Sequence, residues 1–285
     1  MSRDAAVTAS VQDRALRASV IVSVYKDVEA LRAILVNLER QTVRDFEILV
    51  TEDGESPDIA GYLAAQRDTA LPVVHLTQED RGFRKMTAVN RAIAAARGDY
   101  LIFLDGDCLP NSRFVERHLA EARPDTVCRG RRVYFGPRAS KLLRKHPKLL
   151  SIFENRLLYL LLAIPLHVDG VRSYEVGFPS RWLQYLARNR LQGIIGCNFS
   201  CYRADMLSIN GYNEDLPGAG GEDGDLEWRL EGVGKQMKNV KFRAPVYHLY
   251  HQVRRQRAEE NIAISERNRA NREFVCRNGI FKYPA

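Results

Sequence analysis

Two aspartates separated by one glycine end an apolar run in the stretch GDYLIFLDGDCLP, residues 98–110. A carboxylate in the protein interior is costly unless it is paired, hydrogen-bonded or bound to a metal ion. Asp105 and Asp107 could turn two hard oxygen ligands toward one divalent ion, because only Gly106 separates them. An acidic turn after a strand is the simpler interpretation, since Asp-Gly is ordinary turn chemistry. This stretch alone does not distinguish a metal site from a turn.

A second group of acids follows three glycines in PGAGGEDGDLEWRL, residues 217–230. Glycine allows a close backbone approach, and the acids open a predicted helix that ends near Leu230. The residues concerned are Gly218, Gly220, Gly221, Glu222, Asp223 and Asp225. Capping and the helix dipole favour an acid at the start of a helix, but they account for one acid better than for three. The stretch is therefore a second candidate site.

Two histidines occur within APVYHLYHQ, residues 244–252. A single histidine is usually structural, and the residues around this pair predict a strand. Strand geometry places His248 and His251 on opposite faces unless the strand ends between them. Imidazole binds manganese and also softer metals, so both side chains are candidate ligands.

The elements that must position these residues alternate along the first half of the chain. Strands are predicted at 18–25, 46–54, 71–77 and 100–104, and helices at 27–40, 57–67 and 85–98. This alternation predicts an α/β fold with right-handed crossovers and a doubly wound, mainly parallel sheet. Ligands bind such sheets beyond the carboxyl ends of the strands. Glu52, Asp53, Asp105 and Asp107 all follow strands, so we expect these acids to gather at one crevice.

Composition limits the class of protein. The 285 residues are 45% hydrophobic and 27% charged, which is typical of a soluble chain with one large domain or two intimately joined ones. Five cysteines at irregular spacing favour reduced thiols in a cytoplasmic protein. Residues 1–17 lack the apolar core of a signal peptide and are predicted to form a flexible polar tail. The formal charge of +8 predicts an anionic partner: nucleic acid, a membrane surface or a phosphorylated substrate.

The order of TEDGES, RGFRKMTAVNRAI and GDYLIFLDGDC resembles the nucleotide-sugar half of inverting family 2 glycosyltransferases, which have the GT-A fold. The resemblance covers roughly residues 18–120, and the later GGED resembles a motif shared with β-1,4-galactosyltransferases and polypeptide GalNAc-transferases. It implies a Rossmann-like nucleotide-sugar half at 18–125, an acceptor-binding and catalytic half at 126–251, and a charged C-terminal helix at 252–285. A P-loop and a dinucleotide-binding glycine fingerprint are both missing from the sequence.

The resemblance assigns the metal site. Asp105-Gly106-Asp107 is similar to the family's D-x-D motif, which implies a divalent ion on Asp107 and His248, with Asp105 shared between the ion and the ribose. His251 is the alternative histidine. Because imidazole is among the implied ligands, Mn²⁺ is favoured over Mg²⁺.

The resemblance also assigns the catalytic acids. Asp223 is implied as the base and Glu222 as the residue that positions the acceptor, with Asp225 as the next candidate base. A base is needed because a sugar hydroxyl attacks poorly until its proton is removed. Ala219 stands where those galactosyltransferases have a tryptophan, so the acceptor they use does not carry over.

Nucleotide contacts are implied at three places. Val24 and Tyr25 would form the apolar floor under the base, and Glu52 and Asp53 would accept hydrogen bonds from the base and ribose. The RGFRK stretch precedes a helix, where arginines and a helix N-terminus suit phosphate oxygens. Arg84 and Lys85 are the implied ligands there, with Arg81 less central, although solvated surface charge explains each cation equally well.

The middle of the chain combines a basic cluster with an apolar run at 157–166, which is too short to span a bilayer. Two interpretations stay open for this run: a core helix, or an amphipathic helix at an anionic lipid surface.

The implied function is metal-dependent, inverting transfer of a hexose from a UDP-sugar to a hydroxyl of a bacterial surface glycan, such as lipopolysaccharide core, O-antigen or capsule. A lipid-linked acceptor and a peripheral position on the inner face of the cytoplasmic membrane are compatible with it. One alternative is a metal-dependent nucleotidyltransferase, which has no need of GGED. A second is a sugar-binding protein without catalysis, which the intact acids argue against. A third is a basic nucleic-acid-binding protein. A nucleic-acid partner is not expected, because the sequence contains no recognisable module for one.

Overall fold

The computed structural model describes residues 16–66, 70–187, 193–252 and 258–283, and their strands form two sheets. The strands are β1 Ala18–Val24, β2 Phe46–Glu52, β3 Val73–Leu76, β4 Tyr100–Asp105, β5 Cys108–Pro110, β6 Thr126–Arg129, β7 Arg132–Tyr134, β8 Phe199–Tyr202, β9 Gln236–Asn239 and β10 Val246–His248. The large sheet has the order β3-β2-β1-β4-β8-β6-β9, and the small sheet has the order β5-β10-β7.

The α-helices surround the sheets. They are α1 Val28–Leu38, α2 Pro57–Ala65, α3 Lys85–Ala95, α4 Phe114–Glu121, α5 Pro137–Lys145, α6 Leu150–Glu154, α7 Arg156–Leu161, α8 Ala163–Val168, α9 Arg181–Ala187, α10 Arg203–Ser208, α11 Glu222–Gly232 and α12 Ala258–Ala270. Short 3-10 turns occupy Pro147–Leu149, Tyr174–Gly177 and Ile280–Lys282. The predicted alternation of strands and helices in the first half is confirmed, and α/β is the observed fold class.

The large sheet is mainly parallel, as predicted. β1 pairs in parallel with β2 and with β4, whereas β8 joins β4 in the antiparallel sense. The register places Val24 opposite Glu52 and Ser23 opposite Asp105, so the carboxyl ends of three neighbouring strands meet at one edge. Strands from both sides of residue 125 share this sheet, which joins the two predicted halves through one hydrogen-bonded unit.

The small sheet brings the histidine segment to the same edge. β10 pairs with β5 so that His248 lies opposite Cys108, and it pairs with β7 so that His248 also lies opposite Tyr134. β10 ends at His248. His251 therefore follows the end of the strand, and the two histidines are free to point in the same direction.

Apolar side chains cover both faces of the large sheet, which explains the continuous apolar runs of its parallel strands. One face packs against α1 through Val20, Val22, Ile102, Ile34 and Leu38. The other packs against α3 through Ile21, Leu101, Phe103, Val89 and Ile93. The two layers fix the positions of β1 and β4. Several residues that line the cleft come directly after these two strands in the sequence.

The charged C-terminal segment is helical over a shorter stretch than predicted. α12 ends at Ala270, and Arg272 adopts a φ of 56°, the left-handed conformation that stops a helix. Residues 253–257 and 284–285 of the predicted segment, and residues 1–15 of the predicted tail, lie outside the described residues.

The apolar run in the middle of the chain forms α7 and α8. Tyr159 and Leu166 are buried there, but Leu157, Leu160 and Ile164 are exposed. The run therefore does not form a core helix, because most of its apolar surface faces solvent. Within the residues that the structure describes, every helix is too short or too polar to cross a membrane.

Candidate active site

A cleft of about 660 Å³ opens at the carboxyl ends of β1, β2 and β4. Residues from six separate parts of the chain line it: Ser23, Val24, Tyr25, Asp27, Thr51, Asp53, Gly82, Phe83, Lys85, Ala88, Asp105, Gly106, Asp107, Ala219, His251 and Gln252. Eight of the predicted site residues are in this set. The sheet register thus brings together three of the four acids that the sequence placed after separate strands, Asp53, Asp105 and Asp107, whereas Glu52 is not among the lining residues.

Asp105 is held by a cation and a hydroxyl. Lys85 Nζ lies 2.5 Å from Asp105 Oδ1, and Ser23 Oγ donates to the same oxygen over 3.1 Å. Lys85 is the first residue of α3, so the sheet edge and the helix start meet at this ion pair. Burial lowers the pKa of Lys85, but the surrounding carboxylates of Asp105, Asp223 and Glu222 outweigh burial and raise it, which keeps the amine charged.

Glycine is required between the two aspartates because the backbone passes very close to β1. A Cβ on Gly106 would lie 2.7 Å from the Ser23 carbonyl oxygen and 2.9 Å from Val24 Cγ1. The Gly106 N–H donates to that carbonyl over 2.7 Å. This contact turns the chain so that the Asp105 and Asp107 side chains both reach the cleft.

Asp107 faces both histidines. His251 Nε2 lies 2.9 Å from Asp107 Oδ2, His248 Nε2 lies 3.4 Å from it, and the two Nε2 atoms are 3.2 Å apart. Burial would raise the pKa of Asp107, but hydrogen bonds from the two imidazoles outweigh it and hold that pKa well below its usual range. Hydrogen bonding to Asp107 raises the pKa of His251.

This donor set fits a divalent ion. One carboxylate oxygen and two imidazole nitrogens converge within hydrogen-bonding distance of one another, and ions such as Mn²⁺ accept such mixed oxygen and nitrogen ligands. Cys108 lies close enough to join Asp107 and His248 around an ion. Its thiol instead donates to Asp107 Oδ1 over 3.1 Å, and burial raises the pKa of that thiol, so Cys108 remains a protonated neighbour.

Glu52 and Asp53 have different surroundings. Glu52 is fully buried outside the cleft lining, where it accepts from the Ser56 N–H over 2.8 Å and contacts His75 Nε2 at 3.0 Å. Asp53 lines the cleft and accepts from Gln78 Nε2 over 2.8 Å and from the Arg84 N–H over 2.6 Å. Glu52 therefore organises the loop after β2, and Asp53 is the acid that faces the cleft.

The RGFRK cations are not equivalent. Arg81 is exposed and pairs with Glu79, and the Arg84 guanidinium donates to the Glu79 carbonyl. Neither arginine side chain is among those that line the cleft, whereas Lys85 is. Within the described residues, the start of α3 thus supplies one cation to the cleft.

Asp223 lies in the first turn of α11, beside Lys85. The Gly196 N–H donates to Asp223 Oδ2 over 2.9 Å, and a Cβ on Gly196 would meet both Asp223 Oδ1 at 2.9 Å and Lys85 Nζ at 3.4 Å. Burial, together with the charge of Glu222, raises the pKa of Asp223 to about 7. A carboxylate with that pKa can accept a proton near neutral pH.

The other two acids of α11 are used differently. Glu222 accepts from the Gly220 N–H over 2.6 Å, which holds it at the loop before the helix. Asp225 is buried in an ion pair with Arg229, at 2.8 Å, and Arg229 also donates to the Ile209 and Gly211 carbonyls. Asp225 therefore anchors the helix. None of the three acids Glu222, Asp223 and Asp225 is among the residues that line the cleft, but only Asp225 is neutralised by a buried arginine.

Comparison with known proteins identifies the family. Residues 19–177 match the family model described as Glycosyl transferase family 2, which is more than half of the chain. The chain belongs to glycosyl transferase family 2. Residues 183–252 match a second model, described as the N-terminal domain of galactosyltransferase. The predicted resemblance to this family is thereby confirmed.

The chain is also similar to curated relatives with different names. It is 29% identical over 241 residues to validoxylamine A glucosyltransferase of Streptomyces hygroscopicus subsp. jinggangensis, which covers 77% of this chain and 52% of the relative. It is 32% identical over 108 residues to the hyaluronan synthase of Pasteurella multocida, which covers 38% of this chain and 11% of the relative. The chain spans about half the length of the first of these relatives.

Solved structures support the GT-A fold. S. aureus TarS 1-349 in complex with UDP has a TM-score of 0.59 at 16% identity, covering 94% of this chain and 68% of that one. GalNAc-T7 with UDP, GalNAc and Mn²⁺ also has a TM-score of 0.59, at 12% identity, covering 90% of this chain and 48% of that one. The predicted GT-A fold of the glycosyltransferase is confirmed.

Several residues in or beside the cleft were not predicted from the sequence. Ser23, Phe83 and Gln252 line the cleft, and Gly196 contacts Asp223. Ser23 lies in a predicted strand, Phe83 in the stretch before a predicted helix, and Gln252 at the start of the predicted C-terminal helix, so their local patterns indicate structure and not a site. The contact of Gly196 with Asp223 joins residues 27 positions apart, so no local signal could have identified it.

Proposed function

We propose that this family 2 glycosyltransferase transfers a hexose from a UDP-sugar to a hydroxyl of a bacterial surface glycan, with inversion and with a divalent ion bound. The observation that carries the proposal is the arrangement around Lys85. Its amine lies 2.5 Å from Asp105 of the D-x-D motif. A Cβ placed on Gly196 would lie 3.4 Å from this amine and 2.9 Å from Asp223 Oδ1, so Lys85 and Asp223 flank the same glycine. Acids suited to the donor and an acid suited to the acceptor thus meet in one place.

Several residues would bind the donor. Val24 and Tyr25 form one wall of the cleft, and Asp53 offers oxygens to the base or ribose. Lys85 would contact the diphosphate, because its charged amine lines the cleft beside Asp105. Asp107, His248 and His251 would hold the ion, with Asp105 beside it. When bound, a divalent ion neutralises the charge that develops on a diphosphate leaving group.

The remaining step is proton removal and displacement. Asp223 takes the proton of the acceptor hydroxyl while the oxygen attacks the anomeric carbon. The bond between that carbon and the diphosphate oxygen breaks on the opposite side, so one displacement inverts the configuration. Glu222, held at the loop by the Gly220 N–H, positions the acceptor beside Asp223.

The rate should depend on pH through Asp223. Burial and the neighbouring Glu222 raise the pKa of Asp223 to about 7, so kcat/KM is expected to rise with pH through an inflection near that value. Glu222→Gln removes the negative charge next to Asp223, and the inflection should then move to lower pH. Measurement of kcat/KM from roughly pH 5 to 9 checks this. An unchanged inflection in Glu222→Gln would show that another group controls the profile.

Donor and metal specificity test the proposed reaction directly. We expect release of UDP from one or more of UDP-glucose, UDP-galactose, UDP-N-acetylglucosamine and UDP-N-acetylgalactosamine, with Mn²⁺ more effective than Mg²⁺. GDP-mannose serves as the matched control, since TarS and GalNAc-T7 structures contain UDP whereas a Pyrobaculum calidifontis mannosyltransferase contains GDP-Man and Mn²⁺. Calorimetry with and without EDTA measures donor binding. Turnover of GDP-mannose alone, or full activity in EDTA, would contradict the proposal.

A further inference from the structure

Helices α7 and α8 expose a group of large apolar side chains, here called the apolar face. Its members are between 41% and 78% exposed: Leu157, Leu158, Leu160, Leu161, Ile164 and Val168. Scattered apolar residues are normal on a protein surface, but six large exposed ones within twelve residues are a concentration of the kind that marks an interaction site. The patch lies outside the cleft lining described above.

The exposure is imposed by the packing of the opposite side of α7. Tyr159 stacks on Tyr174 with ring centroids 4.2 Å apart, and its hydroxyl donates to the Tyr174 carbonyl over 2.9 Å. A Cβ on Gly177 would lie 2.4 Å from that hydroxyl, so the tyrosine fits against a glycine. Asn155 caps the helix through the Leu157 and Leu158 N–H groups. These contacts fix the rotation of α7 and leave its leucines facing solvent.

Helix α9, which follows α8 in the chain, also exposes large apolar side chains. Arg156 donates to the Pro179 carbonyl over 2.6 Å, which links the start of α7 to the start of α9. On α9, Trp182 is 69% exposed and Leu186 is also exposed. Tryptophan is favoured at the boundary between water and lipid because its ring is amphipathic.

The segment that carries these helices is strongly cationic. Residues 137–187 contain eight Lys or Arg and three Asp or Glu. All three acids are occupied: Glu154 pairs with Arg40, Asp169 accepts the Arg138 and Ala139 N–H groups, and Glu175 pairs with Lys241. The charge that remains toward solvent is therefore positive.

Three lysines supply much of that charge. Lys141, Lys145 and Lys148 are exposed, and none of their amines forms an ion pair with a residue that the structure describes. Arg144 differs, because it lies 2.6 Å from Asp27 and is held in that ion pair. Asp27 lines the cleft, so this ion pair also places the cationic helix α5 beside the active site.

We propose that the apolar face and these three lysines bind the surface of an anionic bilayer. The leucines and isoleucine would enter the interface, and the lysines would contact lipid headgroups, which attract basic residues within a Debye length. A second copy of the chain is the less favoured occupant, because a twofold contact through this face would bring the two cationic segments together. The binding extends beyond the proposed transfer reaction and does not depend on it.

Sedimentation with vesicles tests the proposal. The full chain is mixed at low ionic strength with phosphatidylcholine vesicles or with vesicles that also contain about 30 mol% phosphatidylglycerol. We expect the protein to pellet with the anionic vesicles only and to be released at high salt. Lys141→Glu, Lys145→Glu and Lys148→Glu together should lower the partition coefficient at least about 100-fold. Leu161→Ser with Ile164→Ser should lower it at least about 10-fold.

Matched controls separate this surface from general charge or hydrophobicity. Arg267→Glu, Arg269→Glu and Arg277→Glu make the same charge change on the exposed C-terminal segment, and Val275→Ser with Phe281→Ser removes exposed apolar groups there. Both controls should bind vesicles like the parent chain. Circular dichroism and thermal unfolding of every variant show that the fold is intact. Separate calorimetry of UDP–Mn²⁺ keeps failure of membrane binding distinct from failure of the proposed reaction.

Three outcomes would overturn the proposal. The parent chain could stay in the supernatant with anionic vesicles at low salt. The control variants could lose binding as strongly as the surface variants. Sedimentation velocity could show a dimer that Leu161→Ser with Ile164→Ser dissociates, without vesicle binding, which would assign the apolar face to a second copy of the chain.

Discussion

Asp223→Asn is expected to lower kcat by about 10² to 10⁴-fold, the usual contribution of a general base. Asparagine has the same shape, and its side-chain oxygen can still accept from the Gly196 N–H. It cannot take the proton of the acceptor hydroxyl. Donor affinity should therefore stay near the parent value, because the donor contacts proposed for Asp105, Asp107 and Lys85 are retained.

The measurement combines steady-state transfer with calorimetry of UDP–Mn²⁺. Glu231→Gln is a matched control, since Glu231 is an exposed acid on the same helix and lies outside the cleft lining. The control should transfer sugar at the parent rate. Near-parental transfer by Asp223→Asn would show that Asp223 is not the base. Glu222 would then be the next candidate, because the carboxylate of Asp225 is buried in its ion pair with Arg229.

Asp107→Ala is expected to weaken metal-dependent binding of UDP at least about 100-fold, since even the residues that support metal ligands contribute about 10 to 100-fold. The substitution removes the carboxylate that both histidines face and leaves two imidazoles 3.2 Å apart. The backbone carbonyl of residue 107 still accepts from the Leu249 N–H over 2.8 Å, so the local fold should persist.

Calorimetry of UDP binding, with and without Mn²⁺, measures this loss. A thermal shift on adding Mn²⁺ alone reports the ion without the nucleotide. Asp58→Ala removes an exposed carboxylate outside the cleft and should leave both signals unchanged. His248→Ala and His251→Ala should each weaken the Mn²⁺ signal, because both imidazoles face the same carboxylate oxygen. If Asp107→Ala bound UDP–Mn²⁺ with the affinity of the parent chain, Asp107 would not be a metal ligand.

Local patterns in the sequence determined the architecture of the first half of the chain. Apolar runs that stop at acids predicted strands whose ends form a crevice, and helical spacing predicted the helices between them. Such patterns are readable because parallel strands are buried on both faces and short loops follow them. The acids at 105, 107 and 223 were proposed as site residues from two motifs, each of which spans only a few residues.

Only the tertiary structure decided what each side chain contacts. Glu52 and Asp53 are adjacent in sequence, yet one is buried against His75 and the other faces the cleft. His248 and His251 both reach Asp107 because β10 ends between them. These outcomes depend on strand register and strand length, which contacts distant in sequence impose.

The burial of the apolar run at 157–166 was also decided by the tertiary structure and not by the local sequence. Its composition suits either a core or an interface, since hydrophobicity alone does not say what a helix packs against. The stack of Tyr159 on Tyr174 and its close fit against Gly177 select the side of α7 that is buried. Gly177 lies 18 residues beyond Tyr159, so the exposed apolar face is a product of long-range packing rather than of the local pattern.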